Sequence, residues 1–226
     1  MAESCPGFAT YQTLSNGQVS VNGQVPFVKS EALADRIVEA WGDHGSSITR
    51  ASAQTGIPVH WFVGIMMAES KGNQYACSPC SLCKDSLCAE GAGQRCCAFG
   101  LMQMIAPTAN RFGVTPTEIM QNPLQALLAA AGFIEAIVEQ VGVDLVRVAA
   151  AYNAGVGSLK KCGKQETTFG WYTNGNYPME VVQYANTFIG LRLAQLPPGN
   201  SMIGALFATV GLGIAAGIYT GKIKWL

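Results

Sequence analysis

The sequence predicts a mainly α-helical domain followed by a C-terminal transmembrane helix. Apolar residues recur at helical spacing from residue 30 to residue 195, the alternation typical of strands is scarce, and a long uncharged segment follows. With 226 residues, 12% of them charged and a formal net charge of +0, the chain can form one sizeable domain and has no basic stripe. The composition therefore predicts no nucleic-acid partner.

The first half of the chain divides at residue 30. Residues 1–29 are rich in Ser, Gly, Gln and Asn without helical periodicity, which predicts an irregular, surface-running arm. They contain neither the basic nor the apolar region of a secretory signal. Ser30 then fits the N-cap of a first helix, a second short helix is predicted over 47–54, and a third begins near Pro58.

The second half of the domain also reads as helices. Asn122 and Pro123 combine a cap with a proline at the first helical position, and one apolar stripe continues from there to Val141. Two further helical segments begin near Asp144 and Pro178. The sequence therefore predicts one helical domain over 30–195, followed by a linker at 196–201.

The segment after the linker predicts a membrane span. Residues 202–221 carry no charge, and about 20 apolar residues cross a hydrocarbon layer of ~30 Å. A buried core helix is the alternative. The short basic tail, 222–226, predicts a cytoplasmic or interior C-terminus with the helical domain on the other side of the membrane. Small residues at every fourth position offer a face for a helix–helix oligomer, although a span without a partner fits as well: Ala205, Thr209, Gly213, Gly217 and Gly221.

A single carboxylate ends a long uncharged segment earlier in the chain. Residues 61–68 contain no charge, and Ile65 and Met66 precede Glu69 on its own side of the helix. Apolar surroundings disfavour the charged form of a carboxyl and raise its pKa, as a general acid at neutral pH requires. The alternative is a capping or surface glutamate beside Lys71, which is the commoner role of an isolated glutamate.

Four short motifs occur in a fixed order around this glutamate. They are Glu69–Ser70, "GLMQM" at 100–104, "AYNAG" at 151–155 and "YPMEVVQYANTF" at 177–188. Together they resemble the soluble lytic transglycosylase family of lysozyme-like enzymes, over roughly residues 32–192. The resemblance implies a lysozyme-like fold, peptidoglycan glycan strands as the partner and no cofactor.

The resemblance also assigns roles to single residues. Glu69 would be the catalytic acid and base that cleaves the bond between N-acetylmuramic acid and N-acetylglucosamine, while the sugar's own 6-hydroxyl closes a 1,6-anhydro ring. Glu180 would support the site from behind, and Tyr184 would orient Glu69 by a hydrogen bond. Seven residues would contact the glycan or lie beside the glutamate: Ser70, Gly100, Leu101, Met102, Gln103, Tyr152 and Asn153. Read without the resemblance, Met102 and Tyr152 also fit a buried core.

Two features depart from the family pattern. Val181 stands where the family has threonine, and the 31 positions between Glu69 and Gly100 are more than family members usually show. A hydrolytic lysozyme is the near alternative, and its second carboxylate would be Asp85 or Glu90. The sequence places neither of them within the ~5–10 Å of the first carboxylate that such a mechanism requires.

The extra length forms a cysteine-rich insertion, residues 77–97. Six cysteines lie in it, and two lie outside: Cys77, Cys80, Cys83, Cys88, Cys96 and Cys97, with Cys5 and Cys162. An even number is compatible with disulfides, which form outside the cytosol, where a peptidoglycan enzyme works. Zinc or an iron–sulfur cluster is the minority alternative, and free thiols are a third. We expect a cross-linked lobe beside the glycan groove and no metal.

The predicted anchor and the wall-directed chemistry lead to a hypothesis about location. We expect a membrane-anchored protein with its catalytic domain outside the cytoplasm, in a virion or in the bacterial periplasm. Because no secretory signal is recognised, a phage virion that carries the enzyme through the host cell wall during infection is the first hypothesis. A bacterial tail-anchored enzyme of a secretion or conjugation system is the second. A structural glycan-binding membrane protein of an ejection apparatus, without activity, is the third.

Overall fold

The computed structural model describes residues 11–82, 84–157 and 176–191. These residues are mainly helical, which confirms the predicted class of the domain. The helices among them are α1 (Glu31–Thr55), α2 (Val59–Ser70), α3 (Ala106–Arg111), α4 (Pro116–Gln121), α5 (Pro123–Val141), α6 (Leu145–Ala154) and α7 (Tyr177–Gly190). The strands form two antiparallel hairpins, β1 (Tyr11–Thr13) with β2 (Val19–Val21) and β3 (Ala89–Gly91) with β4 (Gln94–Cys96).

The N-terminal segment is a docked hairpin. Tyr11 and Val19 are buried in the same core as the helices. The fully buried Asn186 of α7 holds the segment, since its Oδ1 accepts from Val19 N at 2.8 Å and its Nδ2 donates to the carbonyls of Val19 at 2.8 Å and Pro26 at 2.9 Å. The described part of the predicted arm, 11–29, is therefore ordered on α7 and differs from the irregular surface segment that its composition predicted.

Helix α1 runs for 25 residues where two shorter helices were expected. Ser30 caps its N-terminus as predicted, with its hydroxyl accepting from Leu33 N. Gly45 lies inside the helix, and the Trp41 ring packs directly over it. A Cβ at this position would lie 2.9 Å from that ring, which explains why the residue is glycine. This glycine serves packing and does not end the helix, which runs on to Gly56 in the left-handed conformation.

Helices α2 and α7 cross at the centre of the domain. Every side chain of α2 from 61 to 67 is buried, which explains its lack of charge. The two helices meet closely at Gly64, where a Cβ would lie 2.8 Å from the Val181 carbonyl, and glycine permits this approach. Val181, which replaces the family's threonine, is fully buried at this crossing, so an apolar side chain fits the position.

Helix α5 is the one helix among the described residues that is long and apolar enough to cross a membrane, judged by length and composition alone. It packs against α1, α4 and α6, and its buried face belongs to the domain core. Its caps follow the prediction, with Asn122 accepting from Gln125 N and Pro123 in the first turn. The predicted linker (196–201), membrane span (202–221) and basic tail (222–226) lie outside the described residues.

The insertion is cross-linked, as predicted. Disulfides join Cys77 to Cys96 and Cys80 to Cys88, and Cys97 is also disulfide-bonded. Cys5, Cys83 and Cys162 lie outside the described residues. Within 11–82, 84–157 and 176–191, no group of three or more His, Cys, Asp or Glu side chains is placed to hold a metal ion.

Candidate active site

A cleft of about 230 Å³ opens at the C-terminal end of α2. Its lining residues come from α2, the loop before α3, α3 itself, α5 and α6: Glu69, Gln103, Met104, Ile105, Thr108, Phe133, Tyr152 and Asn153. The cleft thus joins residues from three of the four sequence motifs, which together span more than 80 positions of the chain. Glu69 is the only carboxylate among the described residues that line it.

Glu69 lies in the last turn of α2, where the buried helix reaches the cleft. Burial raises the pKa of Glu69 to about 7. The hydroxyl of Tyr177, which donates to Glu69 Oε1 at 2.6 Å, opposes this shift, as does the positive charge of Lys71, while the charge of Glu180 adds to it. At neutral pH both forms of this carboxyl are populated, so it can give a proton and later take one back.

The residue that orients Glu69 is Tyr177 in place of the predicted Tyr184. Tyr184 donates instead to Glu180 Oε1, at 3.3 Å. The physical reason is the position along α7, because Tyr177 lies in its first turn beside the end of α2, and Tyr184 lies two turns further along. The tyrosine immediately before Pro178 in the fourth motif is the signal that could have found it.

Glu180 is not among the residues that line the cleft. Its Oε1 forms an ion pair with Lys71 Nζ at 2.6 Å. Ser70, predicted to contact the glycan, donates its hydroxyl to the Met66 carbonyl at 3.2 Å and is not among the residues that line the cleft.

Gln103 lines the cleft, but both N–H donors of its amide are engaged by the protein. Nε2 donates to the carbonyls of Ala76 at 3.1 Å and Gly100 at 3.0 Å, and Oε1 accepts from the Ser78 hydroxyl. A primary amide has two N–H donors, so neither is left for a sugar. The side chain predicted to bind glycan therefore joins the floor of the cleft to the base of the cysteine-rich insertion.

The other residues of the motif at 100–104 determine the path of the loop that carries Gln103. Gly100 has a φ of +70° and lies against Ile119, where a Cβ would be 2.7 Å from a side-chain carbon. Leu101 and Met102 are fully buried, so the structure corrects their predicted role as glycan contacts and places both side chains in the core. The burial of this apolar pair fixes the loop that carries Gln103.

Aromatic rings form one wall of the cleft. The rings of Tyr152 and Phe133 lie 5.2 Å apart between centroids, and the Tyr152 hydroxyl donates to the Met102 carbonyl at 2.7 Å. Burial raises the pKa of Tyr152 well above its ordinary value, and the charge of Glu69 adds to this, so Tyr152 stays neutral. Asn153 beside it is exposed and has no hydrogen-bond partner among the described residues, which leaves its amide available to a substrate.

Sequence reasoning missed four residues that line the cleft, of which Phe133 belongs to the aromatic wall: Met104, Ile105, Thr108 and Phe133. Phe133 departs from the apolar stripe of α5, and an aromatic residue away from the buried face was a usable signal. Of the two candidates for a second carboxylate, Glu90 is exposed and does not line the cleft, and the side chain of Asp85 is not described.

A helical domain with a single buried carboxyl at the head of an aromatic-walled cleft is a lysozyme-like, glycan-cleaving arrangement. The family model for the transglycosylase SLT domain matches residues 46–173, and the chain belongs to this family, as the motifs predicted. The matched residues include the first three motifs and the insertion, and they end before Tyr177. No curated protein matches the sequence. Membership supports lytic transglycosylase activity on peptidoglycan and implies that the chain binds peptidoglycan.

Proposed function

We propose that this protein is a peptidoglycan lytic transglycosylase that cleaves the MurNAc-β-1,4-GlcNAc bond and leaves a 1,6-anhydro end. The observation that carries the proposal is Glu69, the one carboxylate among the described residues of the cleft, with a pKa raised by burial to about 7. A group with this pKa can act as acid and base within a single turnover at neutral pH.

The contacts of Glu69 fit the two proton transfers. Tyr177 occupies Oε1, which leaves Oε2 to carry the proton. Glu69 protonates the glycosidic oxygen, the bond from that oxygen to C1 of the muramic acid sugar breaks, and GlcNAc leaves as an alcohol. The 6-hydroxyl oxygen then bonds to C1 and its proton passes to the Glu69 carboxylate. Atoms and charge balance, and Glu69 returns to its acid form.

The single carboxylate favours this route over hydrolysis. Two-carboxylate glycosidases use the second group either to activate water or to form a covalent intermediate, at about 5–10 Å from the first. The lining of the cleft, as far as the structure describes it, offers only neutral side chains opposite Glu69. An attacking group that belongs to the substrate needs no second carboxylate. The aromatic wall of Phe133 and Tyr152 covers one side of the cleft and reduces the access of water.

The test is digestion of purified peptidoglycan by the full chain in detergent, with wild type beside Glu69→Gln and with the products weighed by mass spectrometry. We expect muropeptides with 1,6-anhydro ends from the wild type and none from the variant. Products heavier by one water would replace the proposal with hydrolysis. A folded wild type that releases nothing would favour a structural glycan-binding protein.

We further propose that the catalytic domain works outside the cytoplasm, anchored through 202–221. The disulfides of the insertion support this placement, because such bonds persist in oxidising compartments. A virion that penetrates the host cell wall during infection is the first setting to examine, and a bacterial secretion or conjugation system is the second. Immunodetection in purified virions and in fractionated bacterial envelopes separates the two, and a purely cytosolic signal would contradict both.

A further inference from the structure

The turn that follows Glu69 is fixed by helix α1. Lys71 ends α2 with a φ of +55°, in the left-handed region. Arg36 Nε donates to the Lys71 carbonyl at 2.9 Å, and His44 Nε2 donates to the Gly72 carbonyl at 3.0 Å. The backbone of Lys71 is therefore held from α1, whatever its side chain does, and the side chain is aimed across to α7.

The ammonium group of Lys71 binds a second carboxylate close to the site. Nζ donates to Glu180 Oε1 at 2.6 Å and lies 4.8 Å from the centroid of the Tyr184 ring. The Tyr184 hydroxyl donates to the same oxygen at 3.3 Å. Burial lowers the pKa of Lys71, but its contacts with Glu180 and Tyr184 outweigh this and raise the pKa overall, so the group stays positively charged.

One side of α7 thus presents three polar groups to the end of α2. Tyr177, Glu180 and Tyr184 are spaced by three and four residues, which places them on the same face of the helix. Tyr177 binds Glu69 and Tyr184 binds Glu180, so two carboxylates lie along one stripe. Like charges placed together disfavour the ionised form of each, unless a positive charge offsets one of them.

We propose that Lys71 is a positioning residue for the reaction, which fixes the Glu180 carboxylate against Tyr184 and balances its charge beside Glu69. The inference rests on the proposed function, in which Glu69 must be protonated to begin a turnover. Lys71, two positions after Glu69, lies outside the four sequence motifs and outside the lining of the cleft.

The titratable groups that act on Glu69 are few. The turn contributes Lys71, α7 contributes Tyr177 and Glu180, and α6 contributes Tyr152. Burial raises the pKa of Tyr177 and of Tyr152 well above the ordinary value, so both phenols are neutral at every working pH. Among the described residues, the charges that act on Glu69 are therefore those of Lys71 and Glu180, with opposite signs.

The ion pair contributes little to folding. The side chains of Lys71 and Glu180 are 42% and 41% exposed, and ion pairs at such exposure contribute little to stability. Loss of the pair is therefore expected to leave the domain folded. Its effect is expected on the pKa of Glu69, which burial raises and which the charges of Lys71 and Glu180 move in opposite directions.

The sign of the effect follows from the charges. Lys71→Met removes a positive charge that favours the Glu69 carboxylate and leaves Glu180 unbalanced, so the titration midpoint of Glu69 moves to higher pH. Glu180→Gln removes the opposing negative charge and moves the midpoint to lower pH. Lys71→Arg keeps the charge and leaves the midpoint in place. We expect about one pH unit for Lys71→Met, at the lower end of what loss of a nearby opposite charge produces.

The experiment titrates Glu69 directly, by carbon-13 NMR of the full chain labelled at glutamate carboxyls, with the signal assigned through Glu69→Gln. Lys29→Met is the charge-matched control, because Lys29 is exposed and forms no ion pair within the described residues. Peptidoglycan digestion is followed in parallel. At pH 8 a rise of one unit increases the protonated fraction, and hence the initial rate, about fivefold for Lys71→Met.

Opposite movements of the Lys71→Met and Glu180→Gln midpoints, with Lys29→Met unchanged, support the inference. An unchanged Lys71→Met midpoint overturns it, as does movement of both variants in the same direction. If Lys71→Met does not fold, the Glu180→Gln shift and the unchanged Lys71→Arg midpoint carry the same test. The titration needs no turnover. If the wild type digests no peptidoglycan but the midpoints of the variants move as expected, only the proposed function is overturned.

Discussion

The hydrogen bond from Tyr177 to Glu69 makes a prediction that separates orientation from acidity. Tyr177→Phe removes the hydroxyl 2.6 Å from Oε1 and keeps the buried ring. Hydrogen bonds to charged groups contribute about 1.5–3 kcal/mol. Because this bond favours the carboxylate form, its loss raises the pKa of Glu69 further above 7, by about one to two units at 1.36 kcal/mol per unit.

Two effects on activity follow, and they differ in kind. The alkaline limb of the rate profile moves to higher pH by the same one to two units, since the acid form of Glu69 persists longer. The maximal rate falls about 10- to 100-fold, because a carboxyl without its hydrogen-bond partner leaves the productive geometry for much of the time. A variant with lower maximal rate and a more alkaline limb is the signature of an orienting donor.

The assay is release of labelled fragments from peptidoglycan by the full chain between pH 5 and pH 10. Tyr184→Phe is the matched control, because it is the same change on the same helix and its hydroxyl reaches Glu180 instead of Glu69. We expect the control to keep its maximal rate within about threefold of the wild type, because its hydrogen bond to Glu180 is long, 3.3 Å, and does not reach Glu69. A Tyr177→Phe profile that coincides with the wild type would refute the assignment of Tyr177.

Three further predictions concern stability and the floor of the cleft. Asn186→Ala leaves buried backbone groups of the N-terminal hairpin without partners. It should lower the free energy of unfolding, measured by urea titration, by about 3–5 kcal/mol and speed the hydrogen exchange of the Val19 amide. A loss under about 1 kcal/mol would contradict this. Glu69→Gln should be more stable than the wild type at pH 8 by up to about 3 kcal/mol, and equally stable below pH ~4. The wild type loses stability as pH rises from the unfolded pKa of 4.5 to the folded pKa of about 7, because only the unfolded state releases the Glu69 proton in this range. Ser78→Ala removes the donor to Gln103 and should raise KM about 3- to 10-fold with little change in kcat, whereas an unchanged KM would show that this amide does not shape the cleft.

The central part of the site was predictable because its information is local. Glu69, Gln103, Tyr152 and Asn153 belong to three short motifs, and the structure brings all four into one cleft. Each motif occurs at the end of a helix or in a tight loop, where the neighbouring residues determine which way the side chain points. Helix ends followed for the same reason, since the side chains of Ser30, Asn122 and Asp144 accept the first free amides of their helices.

The parts that failed depend on contacts between distant segments. The hairpin at 11–29 is ordered by Asn186, more than 150 positions away, and no local pattern records that pairing. The choice of Tyr177 over Tyr184 depends on how α7 lies along α2, which is set by the close crossing at Gly64. Leu101 and Met102 carry a family motif and also have ordinary core composition, and burial decided between the two.

The insertion and the floor of the cleft are connected by backbone bridges and by one side-chain hydrogen bond. Backbone bridges run from Cys77 to Phe99 and from Phe99 to Met104, and Met104 lines the cleft. The disulfide from Cys77 to Cys96 closes the base of the insertion beside Ser78, whose hydroxyl holds the Gln103 amide. Because Gln103 accepts one hydrogen bond from the insertion, the shape of the floor is linked to a lobe whose cross-links persist in oxidising compartments.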